Sequence, residues 1–397
     1  MQRAAADIES HRAARLFALM LAVFLGGGLL ASSETLLVPR LKLLLGLDYA
    51  QALLVQLLYY LGYLLFALPA TILTARVGLM RAVRIALAVM AAGCVAVAEA
   101  QSSLAFGALL VALLLLSSGV TVLQVACNGA MATLGPRDRA TARFTLLQGF
   151  NALGTVLGPL VGAWFLLGSG SGAVARIPFL AFAAGFALLA TAFAVYRDLL
   201  PHPGAAGAPT LARLRAVLRA PRTMHGTVAI FAYVGAEVTI GALAVSYLML
   251  PDRLHAGAVA AGRLVSLYWT SAMIGRFAGA WALRRWPVAR LLGLASVAAI
   301  ACVAAAVVFG GIAGSIALLS VGFANAIMFP TIYGLAMPPE AEDVPTASML
   351  LCMAVVGGAI VPMATGLAAD RFGLVAAFAL PAACYAVILH FAWREAS

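Results

Sequence analysis

The sequence predicts an all-α membrane protein of twelve transmembrane helices in two six-helix halves, and three observations carry that prediction. Hydrophobic residues make up 64% of the chain, charged residues 10%, and the mean hydropathy is +1.05, far outside soluble usage. Apolar runs of about 20 residues, the length that crosses the hydrocarbon as a helix, recur along the whole chain. One polar stretch from Tyr196 to His225, rich in Pro and Arg (Arg197, Pro201, Pro203, Pro209, Arg213, Arg215, Arg219, Arg222), separates six such runs from six more. The many Leu, Ala and Gly residues, with little alternation, argue against a β-barrel.

In order, the runs are 16–38, 52–74, 82–99, 104–133, 142–167 and 176–196, then 226–250, 259–284, 288–309, 311–336, 346–369 and 373–393. The first is longer than a signal-peptide core and carries Glu34, so it reads as a retained helix. The third ends near Glu99, a solvated position. The fifth ends at Gly168-Ser-Gly-Ser-Gly172, which follows a membrane helix rather than a strand and so reads as a flexible loop, not a phosphate cradle. The expected domains are a first half 1–196, a cytoplasmic linker 197–225 and a second half 226–397. Glu34 and Glu237, Gly119 and Gly322, Pro136 and Pro339, Gly154 and Gly357, and Pro159 and Pro362 are each separated by 203 positions. A single offset joining corresponding runs is the mark of a parallel internal repeat, a common construction of secondary transporters.

The net charge of +11 is distributed by side of the membrane, with no basic patch interleaved with aromatics, so nucleic acid is not the expected partner. Arg3, Arg12, Arg15, Arg76, Arg81, Arg84, Arg137, Arg139, Arg143, the linker arginines, Arg284, Arg285, Arg290 and Arg394 fall on one side. Arg40, Lys42, Arg176, Arg253, Arg263 and Arg371 fall on the other. That asymmetry predicts both termini in the cytoplasm. The five cysteines lie in apolar runs without CxxC spacing, and the five histidines form no ligand-like group, so neither a metal nor another cofactor is expected.

Polar residues inside apolar runs are the candidates for function. Glu34 and Glu237 sit deep in the first run of each half. Low dielectric disfavours the charged form of a carboxyl, so acids at that depth can bind and release a proton near neutral pH. Gln124 and Asn128, four apart, and Gln148 and Asn151, three apart, each share a helical face, and Asn325 adds a further amide. Tyr233 lies four residues before Glu237, Trp269 seven before Arg276, and Phe329 four after Asn325. Amides that donate and accept, beside flat aromatic faces, suit a neutral polyhydroxylated ligand. Arg276, two turns before Arg284, reads as a snorkelling latch or anchor. Gly26, Gly27, Gly28, Gly357 and Gly358 would let helices approach closely, and Pro159, Pro330 and Pro362 would kink theirs.

The stretches VLQVACNGAMATLGP (122–136), LLQGFNALGT (146–155), YVGAEVTIG (233–241), YWTSAMIGRFAG (268–279), NAIMFPTIYGLA (325–336) and LLCMAVVGGAIVP (350–362) resemble the fucose/glucose-galactose:proton symporter family of the major facilitator superfamily. They run nearly the length of the chain in the family's order. The resemblance implies the twelve-helix major facilitator fold and a proton-driven importer of hexoses or deoxyhexoses with a central site. The family's usual Asn-Asp pair before the Pro that ends the first helix is Glu34-Thr35 here, which moves the acid by one position, about 100° around a helix. Its Ala-Asn-Pro is Cys127-Asn128-Gly129. The superfamily's acidic signature between helices two and three keeps Arg76, Gly78 and Arg81 without an Asp.

These readings predict a proton-coupled monosaccharide symporter of the inner (plasma) membrane, working as a monomer in the lipid bilayer by alternating access. Glu34 and Glu237 are assigned to coupling. Gln124, Asn128, Gln148, Asn151, Tyr233, Trp269 and Asn325 are assigned to the sugar, and Arg276, Pro330, Gly357 and Gly358 to conformational change. An exporter of hydrophobic compounds would need a wide apolar cavity, which the amides oppose. A non-transporting sugar sensor would need a cytoplasmic output surface, and the short tails offer little. No nucleophile, metal or nucleotide motif points to an enzyme.

Overall fold

A computed structural model describes residues 2–133, 140–168, 171–196, 215, 217–338 and 343–396. The described residues are almost wholly helical, without strands. In the first half they form α1 (Gln2–Thr35), α2 (Leu37–Leu45), the short α3 (Tyr49–Ala52), α4 (Leu54–Val77), α5 (Leu79–Ser103), α6 (Phe106–Thr133), α7 (Ala140–Leu167) and α8 (Gly172–Ala192). The second half holds α9 (Pro221–Met249), α10 (Ala258–Ala282), α11 (Val288–Val308), α12 (Gly311–Asn325), α13 (Met328–Ala336), α14 (Val344–Met353), α15 (Gly357–Phe372), α16 (Leu374–Ala377) and α17 (Ala379–Ala396). Pro136, Pro339 and most of the linker lie outside the described residues.

Among the described residues, eleven segments are long and apolar enough to cross a membrane. The twelfth expected span is α10, a 25-residue helix whose Arg263, Ser266, Thr270, Ser271 and Arg276 make it the most polar of the set.

Among the breaks that interrupt the expected runs, three fall near the polar residues of interest, and proline chemistry accounts for two of these. A proline ring clashes with the carbonyl four residues before it. Pro39 therefore disfavours helix at Thr35, where α1 ends and the chain turns through Leu36 into α2, whose Arg40 N–H returns to Leu36 O at 3.2 Å. The first span is consequently longer than 16–38, reaching Ala14–Leu45 with a bend just after Glu34. Pro330 acts likewise on Ala326, and the tenth span parts between Asn325 and Met328. In the eleventh, a 3-10 turn at Ala354–Val356 precedes Gly357 and Gly358. Pro159 and Pro362, in contrast, lie inside continuous helices.

Packing groups the chain into two units. One comprises 1–32, 65–155 and 171–208, the other 33–64, 156–170 and 209–397. Each contains one version of the same helix crossing. In the first unit a Cβ on Gly154 would strike Leu25 O and lie 2.8 Å from Leu29 N, beside Gly28. In the second a Cβ on Gly357 would strike Phe231 O and lie 2.7 Å from its carbonyl carbon. Gly154 and Gly357, like Gly28 and Phe231, are 203 positions apart. The repeat offset thus reappears as equivalent backbone contacts at equivalent places.

Hydroxyls inside the helices are satisfied locally. Thr71, Thr74, Thr121, Thr227, Thr239, Ser296, Thr331 and Thr365 each donate to the carbonyl four residues earlier, at 2.7 to 2.8 Å. This is the ordinary use of Ser and Thr in a membrane helix. The polar groups that such bonds leave over are the carboxyls, amides and phenols.

Candidate functional site

In the second packing unit those groups converge. The bend after α1 leaves Glu34 1% exposed, within hydrogen-bond reach of Gln56 of α4, itself fully buried. Gln56 hydrogen-bonds loosely to the Glu34 carboxyl, a contact that leaves Glu34 Oε1 and both polar atoms of the amide without a well-formed bond. One turn along α4, Tyr60 lies close enough to feel the charges of both Glu34 and Glu237. Its ring is packed against Gly358, where a Cβ would come within 2.7 to 3.0 Å of three ring carbons. Gly358 is therefore the surface on which Tyr60 rests. Tyr59, Tyr60 and Tyr63 form an aromatic ladder with ring centroids 5.3 to 6.3 Å apart.

On α9 the Tyr233 hydroxyl donates to Glu237 Oε1 at 2.7 Å, as the four-residue spacing allows. Tyr268 of α10 donates weakly to the Glu237 carbonyl at 3.4 Å and accepts from Asn325 Nδ2 at 2.9 Å. Asn325 is fully buried at the last residue of α12, immediately before the Pro330 break. Its Oδ1 and the buried hydroxyl of Tyr385 on α17 are within reach of each other, though neither makes a well-formed hydrogen bond. Trp269 stacks edge-on to Tyr268 at 5.0 Å, and its buried Nε1 also lacks a partner. Phe329 continues the aromatic wall between Tyr233 and Tyr333, at 6.1 and 5.9 Å. Arg276 is half-buried and its charge acts on the Glu237 carboxyl and on Tyr233. It therefore faces the acid as well as the surface to which snorkelling would have sent it.

Six side-chain atoms of this cluster are thus buried without a well-formed hydrogen bond among the described residues: Glu34 Oε1, Gln56 Oε1 and Nε2, Asn325 Oδ1, Trp269 Nε1 and Tyr385 OH. A buried donor or acceptor left unsatisfied costs roughly 1–3 kcal/mol, and native proteins leave few. Their concentration around two acids is what makes this region a site.

The first unit holds the remaining expected residues. Asn151 Nδ2 donates to Phe24 O at 3.1 Å, across the glycine crossing of α1 and α7. Gln124 is exposed and Gln148 half-buried. Asn128 lies on α6, but its side chain falls outside the described residues. Sequence reasoning missed Gln56, Tyr60, Tyr268 and Tyr385. A signal for the first two was present, because Gln56, Tyr60 and Tyr63 fall on one face of an otherwise apolar run. Tyr385 carried none, since a lone tyrosine in a membrane helix is unremarkable until its hydroxyl is known to be buried.

Comparison with known proteins places this arrangement in context. The family model described as Major Facilitator Superfamily matches residues 17–338. A glucose/galactose transporter of Brucella abortus biovar 1 (strain 9-941) is 35% identical over 375 residues, covering 92% of this chain and 90% of that protein. An L-fucose-proton symporter of Escherichia coli (strain K12) is 25% identical over 410 residues, covering 95% and 92%. The crystal structure of the transporter FucP in the outward conformation matches with a TM-score of 0.73 at 23% identity, over 97% of this chain and 100% of that one. That last likeness is one of fold.

Proposed function

The chain belongs to the Major Facilitator Superfamily, and on that premise we propose that it is a proton-coupled symporter of a monosaccharide, a hexose or deoxyhexose, working by alternating access. It is a transporter, not an enzyme. The observation that carries the substrate reading is the set of six buried polar atoms around Glu34 and Asn325 that lack well-formed hydrogen bonds. They include acceptors (Glu34, Gln56 Oε1, Asn325 Oδ1), donors (Gln56 Nε2, Trp269 Nε1) and a phenol that is both, interleaved with aromatic faces. A ring bearing several hydroxyls, each a donor and an acceptor, satisfies such a set, whereas a hydrophobic compound leaves it with only the loose Glu34–Gln56 and Asn325–Tyr385 contacts. The names of the relatives, glucose/galactose transporter and L-fucose-proton symporter, support the same substrate class.

Glu34 is the group we assign to proton binding. It lies beside Gln56, whose amide can donate to the carboxylate or accept from the protonated acid, and it shares Tyr60 as a neighbour with Glu237. Glu237 is already engaged by Tyr233 and faces Arg276, so it is the second acid, acting on orientation and on the field at the site. At a membrane potential of about 100 mV one proton supplies roughly 2.3 kcal/mol, enough for about 40- to 50-fold accumulation of a neutral solute. The arginine asymmetry supports cytoplasmic termini in an inner (plasma) membrane, and the chain is assigned as a monomer.

Uptake of labelled hexoses into proteoliposomes, with and without an inward proton gradient, tests the reading in wild type and Glu34→Gln. Gradient-driven accumulation in the wild type and mere equilibration in the variant are expected. Movement of no hexose by the wild type would refute the substrate reading, and undiminished accumulation in the variant would move coupling to Glu237.

A further inference from the structure

Gln56, which reaches the Glu34 carboxyl, and Tyr60 are four residues apart on α4, so the two side chains stand on one face of that helix. Packing fixes where the Tyr60 ring lies. A Cβ on Gly358 would come 2.7 Å from Cδ1, 2.8 Å from Cγ and 3.0 Å from Cε1 of that ring, so the missing side chain at the start of α15 is the ring's seat. Tyr63 stacks on the ring at 5.9 Å with the planes 22° apart, and Tyr59 meets it edge-on at 5.3 Å.

The neighbouring glycine brings in the second acid. A Cβ on Gly357 would strike Phe231 O, and a Cβ on Gly235 would lie 3.1 Å from Gly357 O. Of two consecutive glycines in α15, one therefore receives the stretch of α9 that leads to Glu237 and the other receives the Tyr60 ring. The charges of Glu34 and Glu237 accordingly both act on Tyr60, whereas Tyr63 feels Glu34, and Tyr233, Tyr268 and Tyr385 feel Glu237.

These phenols differ in what occupies their hydroxyls. Tyr233 donates to Glu237 at 2.7 Å, Tyr268 accepts from Asn325 Nδ2 at 2.9 Å, and Tyr385 is within reach of Asn325. Tyr60 is half-buried, and among the described residues its hydroxyl makes no hydrogen bond. The seat has no use for that oxygen, because Gly358, Tyr59 and Tyr63 hold the ring alone and a phenylalanine would pack there as well. A phenol with a fixed ring and an unspent hydroxyl, set between two acids, is preorganised to bond a ligand.

We propose that Tyr60 is a specificity-determining residue of the sugar site, whose hydroxyl bonds one particular hydroxyl of the sugar on the side of Glu34. This rests on the monosaccharide reading. A sugar hydroxyl both donates and accepts, so one placed there accepts from the phenol and donates to a Glu34 oxygen. Since the ring is held in place, the phenol selects by position: a sugar with a hydrogen at that carbon leaves the bond unmade. A site built to bond a hydroxyl discriminates in this way far better than an apolar pocket does by fit.

The test is equilibrium binding of glucose, galactose and their singly deoxygenated analogues to the purified full-length protein, wild type and Tyr60→Phe. Tyr60→Phe is expected to bind the parent hexose about tenfold more weakly than wild type, yet to bind one deoxy analogue as well as wild type does, because that analogue lacks the hydroxyl the phenol would have held. Gly358→Ala keeps the phenol but pushes its ring off the seat, and should single out the same analogue; its pattern decides the matter if Tyr60→Phe fails to fold. A loss shared equally by every sugar, or no loss for any, would overturn the assignment and leave Tyr60 a packing residue. Wild type that binds neither hexoses nor analogues would refute the sugar reading and the role of Tyr60 together, so the wild type alone tells the two failures apart.

Discussion

Asn151 and Gln56 are both amides on membrane helices, each lying against the first span, and they are used in opposite ways. Asn151 spends its Nδ2 on Phe24 O, across the crossing where Gly28 and Gly154 bring two backbones together. Gln56, fully buried, has only a loose contact with the Glu34 carboxyl and no well-formed hydrogen bond from either of its atoms. The first arrangement stabilises a helix pair, because a carbonyl and an amide satisfy each other away from water. The second costs stability, and a protein retains such a cost where something else completes the bonds. A polar side chain in a membrane helix is therefore informative about ligands only once its partners are known.

That contrast can be broken at several points. The largest effect is expected at Gln56→Leu, which removes two hydrogen-bonding groups from the ligand. The KM for sugar should rise by about 100-fold, as two lost bonds of roughly 1.4 kcal/mol each imply. Thermal unfolding without sugar should come at the same or a higher temperature, because replacing an unsatisfied buried amide by an apolar group of similar shape is neutral or stabilising. A lowered unfolding temperature with unaltered KM would make Gln56 structural. Glu237→Gln comes next. With Glu34 intact, accumulation persists while KM rises about tenfold, since Tyr233 and Arg276 lose the charge they face. Loss of accumulation at unchanged KM would instead make Glu237 the proton carrier. Asn151→Leu should give the smallest change in transport, a KM within about twofold of wild type, together with destabilisation of roughly 1 kcal/mol from the lost Phe24 bond. A larger shift in KM at full stability would restore Asn151 to the sugar site.

Much of this was legible in the sequence. Hydropathy and run length gave the helices, the 203-residue offset anticipated the matched Gly154 and Gly357 crossings, and the rarity of acids in apolar runs singled out Glu34 and Glu237. Gly357 and Gly358 were recognisable as close-approach residues, though not that Tyr60 would be what Gly358 supports. The bends were partly readable: Pro39 and Pro330 act on residues four earlier, and Asn325 and Glu34 owe their positions to those breaks. What the sequence could not supply was satisfaction. Asn151 and Gln56 look alike as letters, and helical periodicity says which face a side chain occupies but not whether a carbonyl waits there.

The most direct test of the distinction between bonded and unbonded polar groups is equilibrium binding of labelled glucose, galactose and fucose to purified wild type, Gln56→Leu and Asn151→Leu, measured side by side. The expected result is that Asn151→Leu binds like wild type while Gln56→Leu loses binding across the concentration range where wild type saturates. Binding retained by Gln56→Leu and lost by a folded Asn151→Leu would contradict it, and would return the sugar to the amides of α6 and α7.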